Sequence, residues 1–283
     1  MSLRPANPWP RDLPGEGTPT LSAAEFGRIR GLVKDLTGIS LSDQKQTLVV
    51  GRLGIRLRQR KVPSFAEYYR ILQDPAEAEE LQLAIDLITT NETSFFREAD
   101  HFQIMEEHIR SLRPVPLPFK VWSAASSSGE EAYSIAMVLA DILGGAEWRV
   151  LGTDISTRVL ERARRGVYPI ERSTGIPTRL LHAHCLKGRD TQEGMFLMGR
   201  TLRERTSFTM ANLCNPLPQL GPFDVAFLRN VLIYFEPPQK LKVVHAVANQ
   251  VKPGGLLIVG HAESLTGLNH GLTPLLPTVY RVP

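Results

Sequence analysis

Apolar residues recur every three to four positions through the first third of the chain, then gather into short unbroken runs from about residue 119, so the pattern predicts helices first and buried strands afterwards. Over 22–86 the spacing predicts four helices. Ser22, with Glu25 three residues on, forms a capping box; Phe26, Ile29, Leu32, Val33 and Leu36 follow at helical spacing, and Gly38 ends the segment. A second helix over 42–60 carries Val49, Leu53 and Leu57 on one face. Ser64 opens a third with Phe65, Tyr68, Tyr69 and Leu72, Pro75 interrupts it, and a fourth covers 77–88. Polar residues then precede Phe95-Phe96-Arg97 at the start of a helix over 99–112, and a Pro-rich connector occupies 113–118.

Strands and helices alternate from there, the pattern of an open α/β sheet. A mostly apolar run over 119–125 meets a turn of small residues over 124–129. A helix beginning at Glu130 follows, with Ile135, Met137, Val138, Leu139, Ile142 and Leu143. A second strand runs from Trp148 to Asp154, and a helix covers 156–164. The stretch 166–205 breaks the rhythm with several glycines and short alternating segments such as Met195-Phe196-Leu197-Met198, so an inserted small β-element is expected there. A third strand over 206–212 ends at Asn212. A buried fourth over 223–235 carries Arg229, Asn230 and Tyr234 at its end. A helix over 237–250, a turn at Lys252-Pro253-Gly254-Gly255, a fifth strand over 256–260 and a final edge strand over 278–282 complete the chain. The polar residues thus collect at strand C-termini, where open α/β sheets bind ligands.

The strand, small-residue turn and helix at 119–143 let backbone approach a ligand at the positive end of a helix. Glu130 and Glu131 in the first turn suit the helix dipole but argue against a phosphate; a ligand with hydroxyl or ammonium groups fits better. Asp154 closes the next strand about twenty-five residues on, where nucleotide-binding units place an acceptor for ribose hydroxyls. The bland alternative is that Asp154 only caps the following helix, a task for which Ser156 is as well suited. Dehydrogenases and methyltransferases share this arrangement.

Composition narrows the classes. The two cysteines, Cys185 and Cys214, are too far apart for a metal-ligand pattern, which favours a reducing compartment and no disulfide framework. No apolar run reaches the length of a membrane span. Residues 1–20 are rich in Pro and Gly without an apolar core, and they read as a disordered lead rather than a secretory signal. Formal net charge is only +4, but nine basic residues against two acidic ones fall between Arg28 and Lys61. Lys45, Arg52, Arg56 and Arg60 share one helix face. Such a stripe is either a solvated surface or a docking face for an acidic protein or nucleic acid; the absence of interleaved aromatics weakens the single-strand reading.

Five segments together resemble the chemotaxis-receptor methyltransferases of the CheR family: Asn91-Glu-Thr-Ser-Phe-Phe-Arg-Glu, Trp122-Ser-Ala-Ala-Ser-Ser-Ser-Gly-Glu-Glu-Ala-Tyr-Ser, Gly152-Thr-Asp-Ile, Arg229-Asn-Val-Leu-Ile-Tyr-Phe, and Lys252-Pro-Gly-Gly-Leu-Leu-Ile-Val-Gly-His-Ala-Glu-Ser-Leu. They occur in family order and spacing, and the resemblance runs from about residue 21 to the end. Ser126 and Ser128 depart from the residues the family often has, and Ala132 stands where Pro is common. The resemblance implies an S-adenosylmethionine-dependent methyltransferase (Rossmann-like) α/β domain over 119–283, with an inserted antiparallel β-subdomain over 166–205. A small all-helical domain over 21–88 precedes it, joined through a connecting segment over 89–118.

It further implies S-adenosyl-L-methionine as methyl donor, S-adenosyl-L-homocysteine as product, and glutamyl methyl esters on chemoreceptor cytoplasmic helices as the modification. By motif position Asn91, Thr93, Arg97, Glu131, Asp154, Asn212, Leu213, Arg229 and Asn230 are expected at the cofactor, with Arg97 and Tyr234 assigned to catalysis and Tyr234 near the transferred methyl. Between Glu130 and Glu131 the latter is favoured. The expected protein is a cytoplasmic monomer that binds neither nucleic acid nor membrane. Its β-subdomain is a candidate site for a receptor C-terminal peptide, and Lys45, Arg52, Arg56 and Arg60 form a candidate docking face for acidic receptor helices. Methyl transfer to an ionised carboxylate needs no base, and no Ser-His-Asp or metal cluster is visible along the chain; His182, His184 and His261 read as structural. The alternative of another class is a non-catalytic module that binds the donor or its product.

Overall fold

The computed structural model describes residues 19–283, so most of the expected disordered lead lies outside the described residues. The chain forms two compact units: the residues up to Asp35 with Ser40–Thr89, and Leu36–Ile39 with Thr90–Pro283. In the first unit, helices α1 (Ala23–Thr37), α2 (Gln46–Arg60), α3 (Phe65–Gln73) and α4 (Ala78–Ile88) follow the predicted periodicity. The capping box at the start of α1 is reciprocal: Ser22 N–H donates to the Glu25 carboxylate at 2.9 Å and Glu25 N–H to Ser22 Oγ at 3.3 Å. The second helix begins later than expected, because Asp43–Lys45 form a 3₁₀ turn before it. Phe26, Ile29, Val49, Leu53, Leu57, Phe65, Tyr68 and Leu72 are buried, as expected for one stripe per helix.

The second unit begins with helix α5 (Asp100–Ser111), then β1 (Phe119–Ser123), α6 (Glu130–Leu143), β2 (Trp148–Asp154) and α7 (Thr157–Arg165). The insertion follows as β3 (Val167–Pro169), α8 (Thr178–His184), β4 (Cys185–Lys187), β5 (Met195–Met198) and α9 (Arg200–Arg205). The chain ends with β6 (Thr206–Met210), β7 (Phe223–Leu228), α10 (Pro237–Ala248), β8 (Val251–Val259), β9 (Thr273–Leu276) and β10 (Val279–Arg281). The main sheet has the order β6-β2-β1-β7-β8-β10-β9. β6, β2, β1, β7 and β8 run parallel, and β10 pairs antiparallel with both β8 and β9. From β1 the chain moves outward through β2 to β6, then returns to lay β7 on the other side of β1. This reversal opens a crevice beyond the C-terminal ends of β1 and β7, the usual ligand position in such sheets. All six residues of β7 are buried, in keeping with a central strand covered on both faces. The insertion forms its own antiparallel sheet, ordered β3-β5-β4.

Three expectations need correction. The fourth strand stops at Leu228 rather than continuing to 235: Asn230 takes a left-handed conformation (φ 58°), and Leu232–Tyr234 form a 3₁₀ turn. The last strand is not the edge, since β9 lies outside β10; its exposed residues carry no periodicity that marks a strand. The third strand ends at Met210, two residues before Asn212. No helix among the described residues is long and apolar enough to cross a membrane.

Candidate functional site

The turn after β1 is fixed from several directions. Ser126 N–H donates to the Thr153 carbonyl at 2.8 Å. Ser127, at φ 47°, donates its N–H to Asp154 Oδ2 at 2.9 Å, while Asp154 Oδ1 accepts from Ser156 N–H at 2.9 Å. Asp154 therefore braces the turn on one side and the backbone of Ser156, the N-cap residue of α7, on the other. An ionised carboxylate offers about four acceptor positions, so these two bonds do not exclude the role of hydroxyl acceptor. Gly152 is required by close packing: a Cβ there would lie 2.5 Å from the Phe208 ring and 2.9 Å from Ser126 Oγ. Ser127 Oγ donates to the Asn91 carbonyl at 3.0 Å, which ties the segment before α5 to the turn. Ser126 Oγ is buried and makes no hydrogen bond.

At the end of β7 the buried Arg229 forms the second part of the site. Its guanidinium contacts Glu131 Oε2 at 2.9 Å and Glu98 Oε2 at 3.0 Å, donates to the Arg97 carbonyl, and lies over the rings of Phe102 and Phe227. Its Nε is buried without a partner. Ser123 Oγ donates to the other oxygen of Glu131 at 2.7 Å. Glu130, one residue earlier, is rotated away by the helix and meets Ser128 Oγ and Arg172, both at 2.7 Å. The favoured residue, Glu131, is thus the one at the strand ends, and Glu130 ties α6 to the inserted segment. Burial raises the pKa of both carboxyls, against the pull of Arg229 on Glu131 and of Ser128 and Arg172 on Glu130. Burial also acts upward on Glu98, but hydrogen bonds from Asn230 and Arg229, with the Arg229 charge, outweigh it and hold the pKa at about 2.

Glu263 organises the loops beyond β7 and β8. It is buried and accepts from the N–H groups of Asn230 at 2.6 Å, Gly260 at 2.8 Å and Ile233 at 3.3 Å. It thereby holds Asn230 in its left-handed conformation and fixes the turn that carries Tyr234. A Cβ at Gly260 would lie 2.6 Å from Glu263 Oε2 and 2.9 Å from Asn230 Nδ2, so no larger residue fits without displacing the loop.

The expected residues therefore gather in two networks. Asn91 joins Ser127 and Asp154 at the ends of β1 and β2; Arg97, Glu131, Arg229 and Asn230 share the second, the first of these through its carbonyl. Thr93 contributes a carbonyl to Arg172 at 3.2 Å. The Arg97 side chain donates to the Glu92 carbonyl at 3.1 Å. Asn212 is engaged at both ends of its amide, donating to Leu36 O at 2.6 Å and accepting from Cys214 N–H at 3.0 Å, and Leu213 is buried. Glu98, Glu263 and Arg172 escaped notice in the sequence. Glu98 and Glu263 lie inside the quoted motifs, but nothing local distinguishes a buried carboxylate from a solvated one.

The cationic stripe on α2 is largely absorbed within its own unit. Arg56 contacts buried Glu80 at 2.5 Å, and Tyr68 OH donates to the same carboxylate at 2.6 Å. Arg60 pairs with Glu77 at 2.6 Å, and Arg52 donates to the Ile88 and Thr89 carbonyls at 2.8 and 3.2 Å, at the C-terminus of α4. Lys45 is exposed.

The family model described as "CheR methyltransferase, SAM binding domain" matches residues 91–280, and "CheR methyltransferase, all-alpha domain" matches 24–89. The chain belongs to the CheR methyltransferase family. It is 39% identical to the chemotaxis protein methyltransferase of Escherichia coli K12 over 92% of this chain and 91% of that protein. It is 38% identical to that of Salmonella typhimurium LT2, over 92% and 90%. It is 37% identical to chemotaxis protein methyltransferase 2 of Pseudomonas aeruginosa PAO1, over 90% and 92%. S-adenosylmethionine is accordingly the cofactor of this CheR-family chain. The residues at the strand ends suit it: the braced turn after β1, a carboxylate at the end of β2, and the Arg229 guanidinium with the Glu131 carboxylate at the end of β7 offer donors and acceptors and charge of both signs.

Proposed function

We propose that this CheR-family chain transfers methyl groups from S-adenosylmethionine to glutamate side chains on the cytoplasmic helices of a chemoreceptor, forming glutamyl methyl esters. The observation that carries this reading is the Arg229 network at the switch point of the sheet, beside the Asp154-braced turn, with family membership behind it. The kinship with chemotaxis protein methyltransferases supports chemotaxis as the setting, and a receptor's cytoplasmic helices require a cytoplasmic enzyme.

When bound, the donor supplies a methyl group on a positively charged sulfur. Asp154 accepts from the ribose hydroxyls, and Asn91 and Thr93 hold the segment that closes over the turn. Asn212 and Leu213 flank the adenine. Arg97 would pair with the donor's carboxylate, Arg229, Asn230 and Glu131 would hold its amino-acid end, and Tyr234 would face the methyl group. The acceptor glutamate is ionised at neutral pH, its unperturbed pKa being about 4.3. Its oxygen would take the methyl group directly, the donor's sulfur would keep the pair of the broken S–C bond, and no residue would need to move a proton. The protein's task is alignment, which the rigid turn and the Glu263-held loops serve.

The experiment is a filter assay with labelled donor and receptor-bearing membranes, followed by alkali. Volatile methanol released by alkali identifies an ester. Donor binding without transfer would make the chain a non-catalytic binding module, and label stable to alkali would move the reaction to nitrogen.

A further inference from the structure

Glu98, just before α5, His101 on its first turn and His261 in the loop after β8 each present a ligand atom, and the three atoms lie within 4.8 Å of one another. Their histidines are already oriented as metal ligands usually are. A ligating imidazole gives its other ring nitrogen to a hydroxyl, carbonyl or carboxylate. His101 Nε2 lies 2.9 Å from Thr278 Oγ1, and His261 Nε2 lies 3.0 Å from Asp100 Oδ2. The His101 ring is wholly buried, and its Nδ1 makes no hydrogen bond. That nitrogen faces Glu98 Oε2 at 3.4 Å. Two ligands bound tetrahedrally to zinc, at about 2.0–2.2 Å each, stand about 3.3–3.6 Å apart, so this pair already has the separation a metal requires. His261, exposed and 4.7 Å ring to ring from His101, needs only a small side-chain movement to complete a third corner.

The charge balance also favours a cation. Arg229 and the N-terminus of α5 are positive, but the carboxylates of Glu98 and Asp100 outnumber Arg229 two to one. The set of two imidazoles and one carboxylate, with no thiolate, suits zinc and its transition-metal neighbours rather than magnesium or calcium.

We propose that Glu98, His101 and His261 form a binding site for a divalent transition metal of the zinc class, oriented by Thr278 and Asp100. Glu98 is shared, because the same carboxylate holds Arg229 and Asn230. Metal bound there draws on the charge that steadies Arg229, and donor affinity falls. This last consequence rests on the donor-site reading above; metal binding does not.

Cobalt(II) titration of the untagged, chelator-treated full-length chain, without donor, tests the site. The expected result is a saturable visible d–d band at one ion per chain, bleached by zinc(II). His261→Ala should weaken it by at least about tenfold and Asp100→Asn by less, whereas His182→Ala, at an exposed position of α8, should leave it unchanged. His261 is exposed, so its loss should spare the fold, which circular dichroism checks; if it does not, Asp100→Asn carries the comparison. Absence of a saturable band, or a band unchanged in both His261→Ala and Asp100→Asn, overturns the proposal and leaves an ordinary hydrogen-bonded cluster. Donor calorimetry with and without zinc tests the coupling: affinity lowered in the wild type but not in His261→Ala supports it, and unchanged affinity removes it. Failure of donor binding without metal would count against the proposed function alone.

Discussion

The arginines of α2 and the arginine at the end of β7 look alike in the sequence and do opposite work. Arg56 and Arg60 lie at or near the surface and are answered by glutamates from α4 and the turn before it, so the stripe mostly holds helices together. Arg229 is buried, shared between two carboxylates from different parts of the chain, and has an Nε left without a partner beside the sheet's switch point. The number of charges distinguishes neither region. What separates them is that Arg56 and Arg60 keep part of their guanidinium in solvent beside their partners, whereas Arg229 is fully buried with one nitrogen unpaired. An exposed pair is worth up to about 1 kcal/mol; a buried charge stripped of its partner costs several times that.

Replacing Arg229 sharpens this contrast most. Arg229→Met leaves Glu131 and Glu98 facing one another across apolar surroundings, and should lower stability by about 3–5 kcal/mol and abolish donor binding. Adding Glu131→Gln should restore part of the stability and none of the binding, measured by urea unfolding and calorimetry. The matching change in the helical unit, Arg56→Met, leaves buried Glu80 with Tyr68 and the more distant Arg60. A loss of about 1–3 kcal/mol with unaltered donor affinity is expected. If donor affinity fell as well, the two regions would not be separable.

Asp154→Asn places an amide where two backbone N–H groups now meet a carboxylate. Donor affinity should weaken by about 1–3 kcal/mol, and because Asp154 also holds the Ser127 and Ser156 N–H groups on either side of the turn, stability should fall too. A change in affinity alone would show that the turn holds without it. For Glu98 the sign follows from its folded pKa of about 2 against an ordinary 4.5. Its stabilisation is complete above about pH 4.5 and is lost as pH falls toward 2. Glu98→Gln should therefore flatten the acid limb of the stability–pH profile relative to wild type. A parallel limb in both proteins would mean that Arg229 does not hold Glu98 as the geometry indicates.

The smallest effect concerns docking. Reversal of Arg52 and Arg56 would disturb α4 as well as any partner, so Lys45, exposed before α2, is the cleaner probe. Lys45→Glu should alter stability by less than about 0.5 kcal/mol and modestly reduce receptor methylation at low salt. The difference should vanish as the Debye length shrinks from about 10 Å at 0.1 M to about 3 Å at 1 M. Equal methylation at low salt would remove this end of the stripe from the docking face.

Element type and order were legible because both depend on local spacing. The 3.6-residue period from Phe26 to Ile88, the apolar runs at β1, β2 and β7, and the small-residue turn before α6 each carry their reason within a dozen residues. Asp154 and the Arg229-Asn230 pair could be marked as candidate site residues for the same reason: a strand end is readable, and ligands gather at strand ends. Other decisions required the folded chain. The fourth strand stops at Leu228 because Glu263, more than thirty residues later, accepts the Asn230 and Ile233 N–H groups and bends the backbone away from the sheet. The last strand is interior because β9, with no alternating pattern, adds outside it. Glu131 rather than Glu130 faces Arg229 because helix rotation turns neighbouring side chains apart. Glu98, His101 and His261 meet although some 160 residues separate the first and last. Residue spacing along the chain was enough to select helix or strand and to supply the motifs of the family. Which charges are buried, and what they pair with, emerged on folding, because burial and pairing depend on distances between chain segments that no local pattern encodes.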